Sequence, residues 1–356
     1  MRKVRYALIG FGGIAENRIA KEGFACDAAR FKPLKRAVLV GATDLNPKRE
    51  AAAQALGLRW YRDAESLLSD ASVDAVFIAT NNLSHAPLAK QALEAGKAVI
   101  VDKPLAANSR DARMLVKQAA KKGLSLSVDH MMLHNALNRK ARELITRGRL
   151  GTVNDACFHM QFAYGFSAAE AATWRCSNRA EMGGPIGDVA SHCFYMAEHL
   201  LGSRIKAVRA VYYPKRMAIK VEDGALIQCD LVSGVTCSVL VSFCDARGGL
   251  GGTLSNLGYE IYGDKAVARG YGTLFQLSGH EGEPLKMRLE LDRFNRQTTF
   301  TVAKPANLYQ GVIAEHARSV LNGTPLTGAE ALHNVLLCEA AHASAQRGGR
   351  PVEVTC

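Results

Sequence analysis

Several features that mark specialised classes of protein are missing from this chain of 356 residues. Aromatic residues make up only 7% of it, and there is no apolar run of membrane-spanning length. The nine cysteines form no Cys-x-x-Cys pair and no cluster with histidine. We therefore expect neither a membrane partner nor a metal site. The odd number of cysteines and the lack of a signal peptide predict reduced thiols and a cytoplasmic location.

Blocks of like charge are also missing, although the formal net charge is +12. The basic residues are dispersed, and acidic residues separate many of them. Neither zinc-finger spacing nor a helix-turn-helix pattern is present, so no nucleic-acid partner is expected. A positive field would instead attract an anionic cofactor or substrate.

The first part of the chain alternates strands with helices, which is typical of a parallel, doubly wound sheet. The hydrophobic pattern predicts strands at 4–9, 37–43, 75–79, 98–101 and 124–128. Between them it predicts helices at 12–21, 47–56, 84–95 and 109–122. The length of the chain suggests two domains, so residues 1–128 are predicted to form an α/β domain with a doubly wound parallel sheet.

The pattern changes after residue 128, where strands dominate up to about residue 302. Two of them, 225–231 and 235–243, flank a short turn and predict a hairpin. Helices are expected at 135–147, 186–201, 308–321 and 329–346, and the glycine-rich stretch 248–252 is expected to be a loop. Residues 129–356 are thus predicted to form an α+β domain with a mostly antiparallel sheet.

The first strand leads directly into the segment Gly-Phe-Gly-Gly-Ile-Ala, which predicts a site for the pyrophosphate of a dinucleotide. Gly10 allows the tight turn, Gly12 lets the backbone approach the phosphates, and Ala15 allows close packing of helix on strand. Gly13 and Ile14 open the helix, whose N-terminus supplies N–H donors and the positive end of its dipole.

Asp44 ends the second strand, where a carboxylate can accept hydrogen bonds from the adenosine ribose. The alternative is a helix cap, because Asp44 and Asn46 precede Pro47. The position favours NAD as the cofactor. NADP remains possible, because Lys48 and Arg49 could bind a 2′-phosphate.

Two further segments follow predicted strands of the same sheet, at the edge where such folds bind ligands. The first contains Thr80, Asn81, Asn82 and His85, with Ser84 as the expected helix cap. The second is Asp102-Lys103-Pro104, which places an amine where the nicotinamide would lie. These residues are predicted to bind the cofactor, and Lys103 is also predicted to move a proton.

A second candidate constellation lies in the C-terminal part, where a glycine pair expected to be flexible leads into a helix. Asp188 and His192 are spaced i and i+4 and share one face of that helix. An exposed structural pair is the alternative, and spacing alone favours it.

Taken in order, these motifs resemble the Gfo/Idh/MocA oxidoreductase family. The resemblance rests on GFGGIA, Asp44, TNNLSH, AGKAVIVDKPLA, WR and GGPIGDVASH, and it covers essentially the whole chain. It implies a Rossmann domain over residues 1–128 that binds NAD(P). It also implies an open-faced sheet in the domain of residues 129–356, which binds substrate and mediates oligomerisation. The resemblance further implies that Lys103 is catalytic, that His192 is the acid–base group, and that Asp188 is its partner or binds substrate. The family's Glu-Lys-Pro is Asp102-Lys103-Pro104 here, and its Thr-Pro-Asn is Thr80-Asn81-Asn82. An Arg-Phe segment that often borders the substrate is replaced by residues 129–135.

The predicted function is NAD-dependent transfer of a hydride from a secondary alcohol of a sugar or cyclitol. An NADPH-dependent ketosugar reductase, an NAD-using glycosidase and a non-catalytic dinucleotide sensor are the alternatives. The substrate is expected to be a neutral polyol bound between the domains, although Arg175 and Arg179 leave an acidic sugar open. Its predicted contacts are Lys103, His130, His134, Tyr164, Trp174, Arg175, Asp188 and His192. A homodimer or homotetramer built on the second sheet is expected.

Overall fold

The computed structural model describes residues 2–245, 257–272, 274, 287–302 and 307–355. The chain divides into two compact units. The first comprises Met1–Met131 and Asn307–Val335, and the second comprises Met132–Ala306 and Leu336–Cys356. The glycine-rich stretch 248–252 lies outside the described residues.

The first unit contains a parallel sheet of six strands in the order β3-β2-β1-β4-β5-β6. These strands are β1 (Val4–Ile9), β2 (Ala37–Thr43), β3 (Arg59–Trp60), β4 (Ala75–Ile78), β5 (Ala98–Val101) and β6 (Leu126–Val128). The strand order reverses between β1 and β4, and this is the switch point where doubly wound sheets bind ligands. The predicted parallel fold is confirmed. The two-residue strand β3 is too short to show a hydrophobic period, and the sequence did not reveal it.

Helices cover this sheet between successive strands. They are a wide helical segment (Ala15–Gly23), a single turn (Pro47–Arg49) that continues into α1 (Glu50–Ala55), α2 (Ala64–Ser69), α3 (Asn82–Glu94) and α4 (Ser109–Lys122). The start of α3 differs from the prediction. Its cap is Asn81 rather than Ser84, because the Asn81 side chain accepts a hydrogen bond from the amide of Ser84.

Residues 307–335 return to the first unit, which the predicted boundaries 1–128 and 129–356 did not anticipate. The reason is the helix α9 (Leu308–Asn322), which packs against β1, β2 and β5. Two of its polar groups enter that core. His316 contacts the Tyr6 hydroxyl at 2.7 Å through Nδ1, and the cap residue Asn307 donates to Glu22 at 2.8 Å.

The second unit contains a sheet of nine strands in the order β14-β13-β12-β11-β7-β10-β9-β8-β15. They are β7 (Val153–Gln161), β8 (Ile205–Tyr212), β9 (Gly224–Leu231), β10 (Thr236–Ser242), β11 (Leu257–Gly263), β12 (Val267–Tyr271), β13 (Arg288–Arg293), β14 (Arg296–Thr301) and β15 (Val352–Glu353). The described pairs are antiparallel except β7 with β10. The predicted hairpin is β9–β10.

One face of this sheet is covered by helices. The helical stretch Ile186–Ala190 continues into α8 (Ser191–Leu201), and together they pack against β7 and β10. The other helices are a turn (Met131–His134), α5 (Ala136–Thr146), α6 (Ala168–Ala171), α7 (Trp174–Ser177), a turn (Arg179–Glu181) and α10 (Ala329–Gln346), whose first residues belong to the first unit. In the described part of the chain, no helix combines the length and the apolar character needed to cross a membrane.

Candidate functional site

The glycine loop after β1 has the shape that a dinucleotide requires. Gly10 has φ +88°, and a Cβ on it would lie 2.6 Å from the Ala79 carbonyl oxygen, so only glycine fits. A Cβ on Gly12 or Gly13 would meet nothing within 4 Å. The backbone at those two positions therefore faces open space where phosphates can approach. Ile14 is half exposed at the helix start, and Ala15 is buried against the sheet.

A cleft of about 1120 Å³ lies beside this loop at the carboxyl ends of β1, β2 and β4. It includes five of the predicted cofactor residues, Gly10, Gly12, Asp44, Thr80 and Asn81. Its volume suits a large ligand, because small-molecule sites typically occupy about 300–1,000 Å³. The residues present fit a dinucleotide, and the glycine loop would hold its phosphates.

Asp44 joins the two loops that border this cleft. Its carboxylate accepts from the amide of Phe11 at 2.6 Å and from the amide of Asn46 at 2.8 Å. The helix cap is Asn46, which accepts from the amide of Lys48. Asp44 is thus not the helix cap, and its carboxylate helps to hold the glycine loop while lining the cleft.

The basic pair after Asp44 does not line the cleft. Arg49 donates from Nε to the Phe11 carbonyl at 2.7 Å and pairs with Glu16, so its charge supports the glycine loop. Arg62 does line the cleft, two residues after Trp60, which is the last residue of β3 and lines the cleft as well. Sequence reasoning missed both residues because β3 was not predicted.

His85 lies under the loop that carries Lys103. Its ring is fully buried, with Nδ1 2.7 Å from the Pro104 carbonyl oxygen and Nε2 3.3 Å from that of Thr80. Burial lowers the pKa of His85, although the charge of Asp102 opposes the shift. These contacts favour a supporting role over the predicted direct contact with cofactor. Asn82 is also buried and lies outside the residues that line the cleft.

Lys103 follows β5 at the predicted edge and is partly buried. The carboxylate of Asp102 accepts from the amide of Lys103 at 2.8 Å, so it orients the backbone of the loop. On the neighbouring strand end, Asp129 and His130 are buried. Burial lowers the pKa of His130 to about 3, so its imidazole is neutral at physiological pH.

In the second unit, Asp188 is paired with Arg175. Arg175 Nε lies 3.3 Å from Asp188 Oδ2, and its guanidinium carbon lies 4.6 Å from the centre of the Trp174 ring. The ring and the carboxylate together fix a cation that is only partly exposed. The structure therefore brings together three of the predicted substrate residues.

One helical turn after Asp188, His192 is 4% exposed. Its Nδ1 lies 2.8 Å from the hydroxyl of Tyr195, and the two rings meet edge to face. The buried position argues against an exposed structural pair. Sequence reasoning missed Tyr195, although its i+3 spacing from His192 was the available signal.

The glycines before this helix serve close packing rather than the flexibility that was expected. Gly184 has φ +93°, and a Cβ there would lie 2.4 Å from the carboxylate of Glu222. That buried carboxylate accepts from the amide of Ile186 at 3.0 Å and lies 3.6 Å from Arg179. Glu222 thus fixes the start of the helix that carries Asp188 and His192, and it holds Arg179. The contact between Glu222 and Ile186 was not predicted, because the two residues are 36 positions apart in the sequence.

Two other predicted substrate residues form hydrogen bonds with side chains that are near them in the sequence. The Tyr164 hydroxyl lies 3.3 Å from the hydroxyl of Thr173, and His134 Nδ1 lies 2.7 Å from an Arg139 nitrogen. Within the described ranges, no group of three or more histidine, cysteine or carboxylate side chains has the arrangement of a metal site.

Comparisons with known proteins agree with this geometry. Residues 4–130 match the family described as "Oxidoreductase family, NAD-binding Rossmann fold", and residues 138–269 match "GFO/IDH/MocA C-terminal domain". The chain is 28% identical to a D-apiose dehydrogenase from Paraburkholderia graminis, over 99% of this chain and 90% of that protein. It is 29% identical to a 1,5-anhydro-D-fructose reductase from Ensifer adhaerens, over 70% of each.

The fold is similar to the crystal structure of an aldose-aldose oxidoreductase from Caulobacter crescentus. The TM-score is 0.83 at 22% identity, over 99% of this chain and 100% of that one. Together with the motifs and the cleft, these matches show that the protein is an NAD(P)-binding member of the Gfo/Idh/MocA oxidoreductase family.

Proposed function

We propose that the protein oxidises a secondary hydroxyl of a sugar or cyclitol with NAD as the hydride acceptor. The observation that carries this proposal is the position of Lys103. It stands at the carboxyl end of β5, on the same sheet edge as the glycine loop and the Asp44 cleft. A sensor that only binds a dinucleotide needs no amine there.

Lys103 and His192 are the proposed acid–base groups. Bound nicotinamide supplies the hydride acceptor, and these side chains handle the proton of the substrate hydroxyl. Tyr195 contacts Nδ1 of His192 and is proposed to orient the ring, with Nε2 as the proposed atom for proton transfer. Asp188 and Arg175 are proposed to hydrogen-bond neighbouring hydroxyls.

A neutral polyol is the proposed substrate class. The Asp188–Arg175 pair carries no net charge, and Arg179 faces the buried carboxylate of Glu222. An anionic sugar would therefore compete with carboxylates that already hold both arginines. The curated relatives named above as D-apiose dehydrogenase and 1,5-anhydro-D-fructose reductase support a carbohydrate substrate.

The test is the absorbance of NADH while the protein is screened against neutral sugars and cyclitols with NAD and NADP. A dehydrogenase accumulates NADH with at least one of them. Bond cleavage of a glycoside with bound NAD and no net NADH would support the glycosidase alternative. Faster turnover of a ketosugar with NADPH would support the reductase alternative.

We also propose a homodimer or homotetramer that uses the open face of the nine-stranded sheet. Core-facing residues of β9 such as Ile227 are fully buried, whereas Leu226 is 47% exposed and Val211 on β8 is 56% exposed. Exposed apolar side chains on a sheet face favour cover by a second copy. A monomeric mass by light scattering at micromolar concentration would contradict this proposal.

The eight cysteines of the described residues are free, which supports the expected reducing, cytoplasmic environment.

A further inference from the structure

A groove on the first unit has no part in the function proposed above. It has a volume of about 680 Å³ and lies between the loop before β2 and helix α9. The carbonyl of Arg36, the last residue of that loop, accepts from the amide of Val4 at 2.8 Å, so the groove lies at the amino ends of β1 and β2. The dinucleotide cleft lies at the carboxyl ends of these strands, about 20 Å away along β2. Among the described residues, the groove and the cleft have no lining residue in common.

The backbone of both walls of the groove is fixed. One wall is a single face of α9, on which the lining residues recur every four positions, at Gln310, Ala314, Arg318 and Asn322. The other wall is the segment 32–36. Gln310 donates from Nε2 to the Lys32 carbonyl at 2.9 Å, and the Arg36 carbonyl is bound to β1, so this segment is held at both ends. A ligand would therefore meet two walls that are already in place, which lowers the entropic cost of binding.

The residues that line this groove carry charge of only one sign. Four of the ten are cationic and none is acidic. The loop contributes Lys32, Lys35 and Arg36, and the helix contributes Arg318. Within the described part of the chain, none of these four side chains forms an ion pair. Four positive charges without a carboxylate repel one another, and a bound polyanion would relieve that repulsion.

We propose that this groove binds a small molecule that carries two phosphate groups, at a site separate from the dinucleotide cleft. A phosphate group has a charge of about −1.5 to −2 at pH 7, so two of them balance four cations. Arg36 and Arg318 are each able to bind a phosphate through two parallel hydrogen bonds, whereas Lys32 and Lys35 supply point charges. The volume of the groove is within the range of small-molecule sites.

The first test uses inorganic pyrophosphate as the probe and the whole chain at saturating NAD, so that the dinucleotide cleft is occupied. Isothermal titration calorimetry is performed in 0.1 M KCl, where charges more than about 10 Å apart are largely screened. We expect one site that binds pyrophosphate at least about tenfold more tightly than inorganic phosphate, because the second phosphate group binds from a tethered position. Absence of binding, or equal affinity for the two anions, overturns the proposal.

The second test removes one cation from each wall of the groove. We expect the double variant Lys35→Gln/Arg318→Gln to bind pyrophosphate at least about tenfold more weakly than the wild-type protein. The matched control is Lys117→Gln/Lys121→Gln, which removes two exposed cations from α4 in the same unit and should retain the wild-type affinity. Equal losses in the two variants would show that the anion is attracted only by the net charge, and they would overturn the proposal.

The third test places a carboxylate inside the groove. Ala314 lies between Gln310 and Arg318 on the lining face of α9, and glutamate is a good helix former, so Ala314→Glu preserves the helix. We expect this variant to lose pyrophosphate binding. Ala120→Glu, at an exposed position of α4, is the control and should bind pyrophosphate as the wild-type protein does. Retained binding in Ala314→Glu, or equal loss in Ala120→Glu, overturns the proposal. None of these measurements involves the sugar substrate, so their outcome is independent of the proposed function.

Discussion

The hydroxyl of Tyr195 lies 2.8 Å from Nδ1 of His192, and both side chains are almost fully buried. This hydrogen bond holds the ring in one tautomer and one orientation. A ring without it would sample both tautomers and more than one orientation.

Tyr195→Phe is therefore expected to lower kcat about tenfold, the cost of one buried hydrogen bond of about 1.4 kcal/mol, with little change in KM. Tyr6→Phe is a matched control, because Tyr6 makes the same kind of bond to His316 in the core of the first unit. Equal turnover of the two variants would remove Tyr195 from the mechanism. Steady-state kinetics on folded protein measures the difference.

We expect the pair of Asp188 and Arg175 to determine which charge on the substrate is accepted. The wild-type protein should prefer a neutral sugar to its uronate, and Asp188→Asn should shift kcat/KM toward the uronate because Arg175 then lacks its carboxylate. Matched substrates measured with both proteins test this. A wild-type preference of a hundredfold for the uronate, about 2.8 kcal/mol, would contradict the neutral-polyol assignment.

Asp44 is expected to make NAD bind at least about tenfold more tightly than NADP, since a repulsion of about 1.4 kcal/mol suffices. The Asp44→Ala variant should lose this discrimination. It should also bind NAD more weakly, because the amide of Phe11 loses its hydrogen-bond acceptor. Glu50→Gln, which alters another carboxylate of the same cleft, should retain the preference. Dissociation constants for NAD and NADP, measured by fluorescence titration, test this prediction. Similar affinities of the wild-type protein for both cofactors would refute the role of Asp44.

The stability of the protein is expected to depend on pH because of His316. Burial lowers its pKa to about 4, below the ordinary value near 6.5, so the unfolded chain binds more protons between these values. The contribution of His316 to stability is fully present above its pKa in the unfolded chain. As pH falls from there toward 4, the free energy of unfolding decreases by about 3 kcal/mol. Relative to His316→Gln, the wild-type protein should lose that amount between pH 7 and pH 4 in chemical unfolding. Parallel pH curves for the two proteins would show that His316 carries no such shift.

The parallel sheet and the chemistry-bearing motifs were predictable because each is local. The turn at Gly10, the strand end at Asp44 and the one-turn spacing of Asp188 and His192 are all visible within a few residues. Contacts across long sequence separations were not predictable. Glu222 meets Ile186 and α9 returns to the first sheet through packing that no local pattern encodes.

One error has a simpler physical origin. Asn81 and Ser84 are both good caps, and the structure uses Asn81 because its side chain reaches the amide three residues later. The expected contact of His85 with the cofactor stays a prediction, and the carbonyls of Pro104 and Thr80 hold its ring under the loop. Sequence position identified the correct edge of the sheet without showing which side chains face outward.

Lys103 is proposed to move the hydroxyl proton at the nicotinamide end of the site. The most direct test is kcat of Lys103→Met at saturating NAD and polyol, together with the NAD dissociation constant of the same variant. We expect a loss of about 10²–10⁴-fold in kcat with NAD affinity retained, as is typical of a general acid–base group. Near-native turnover, or a loss explained entirely by weaker NAD binding, would contradict it.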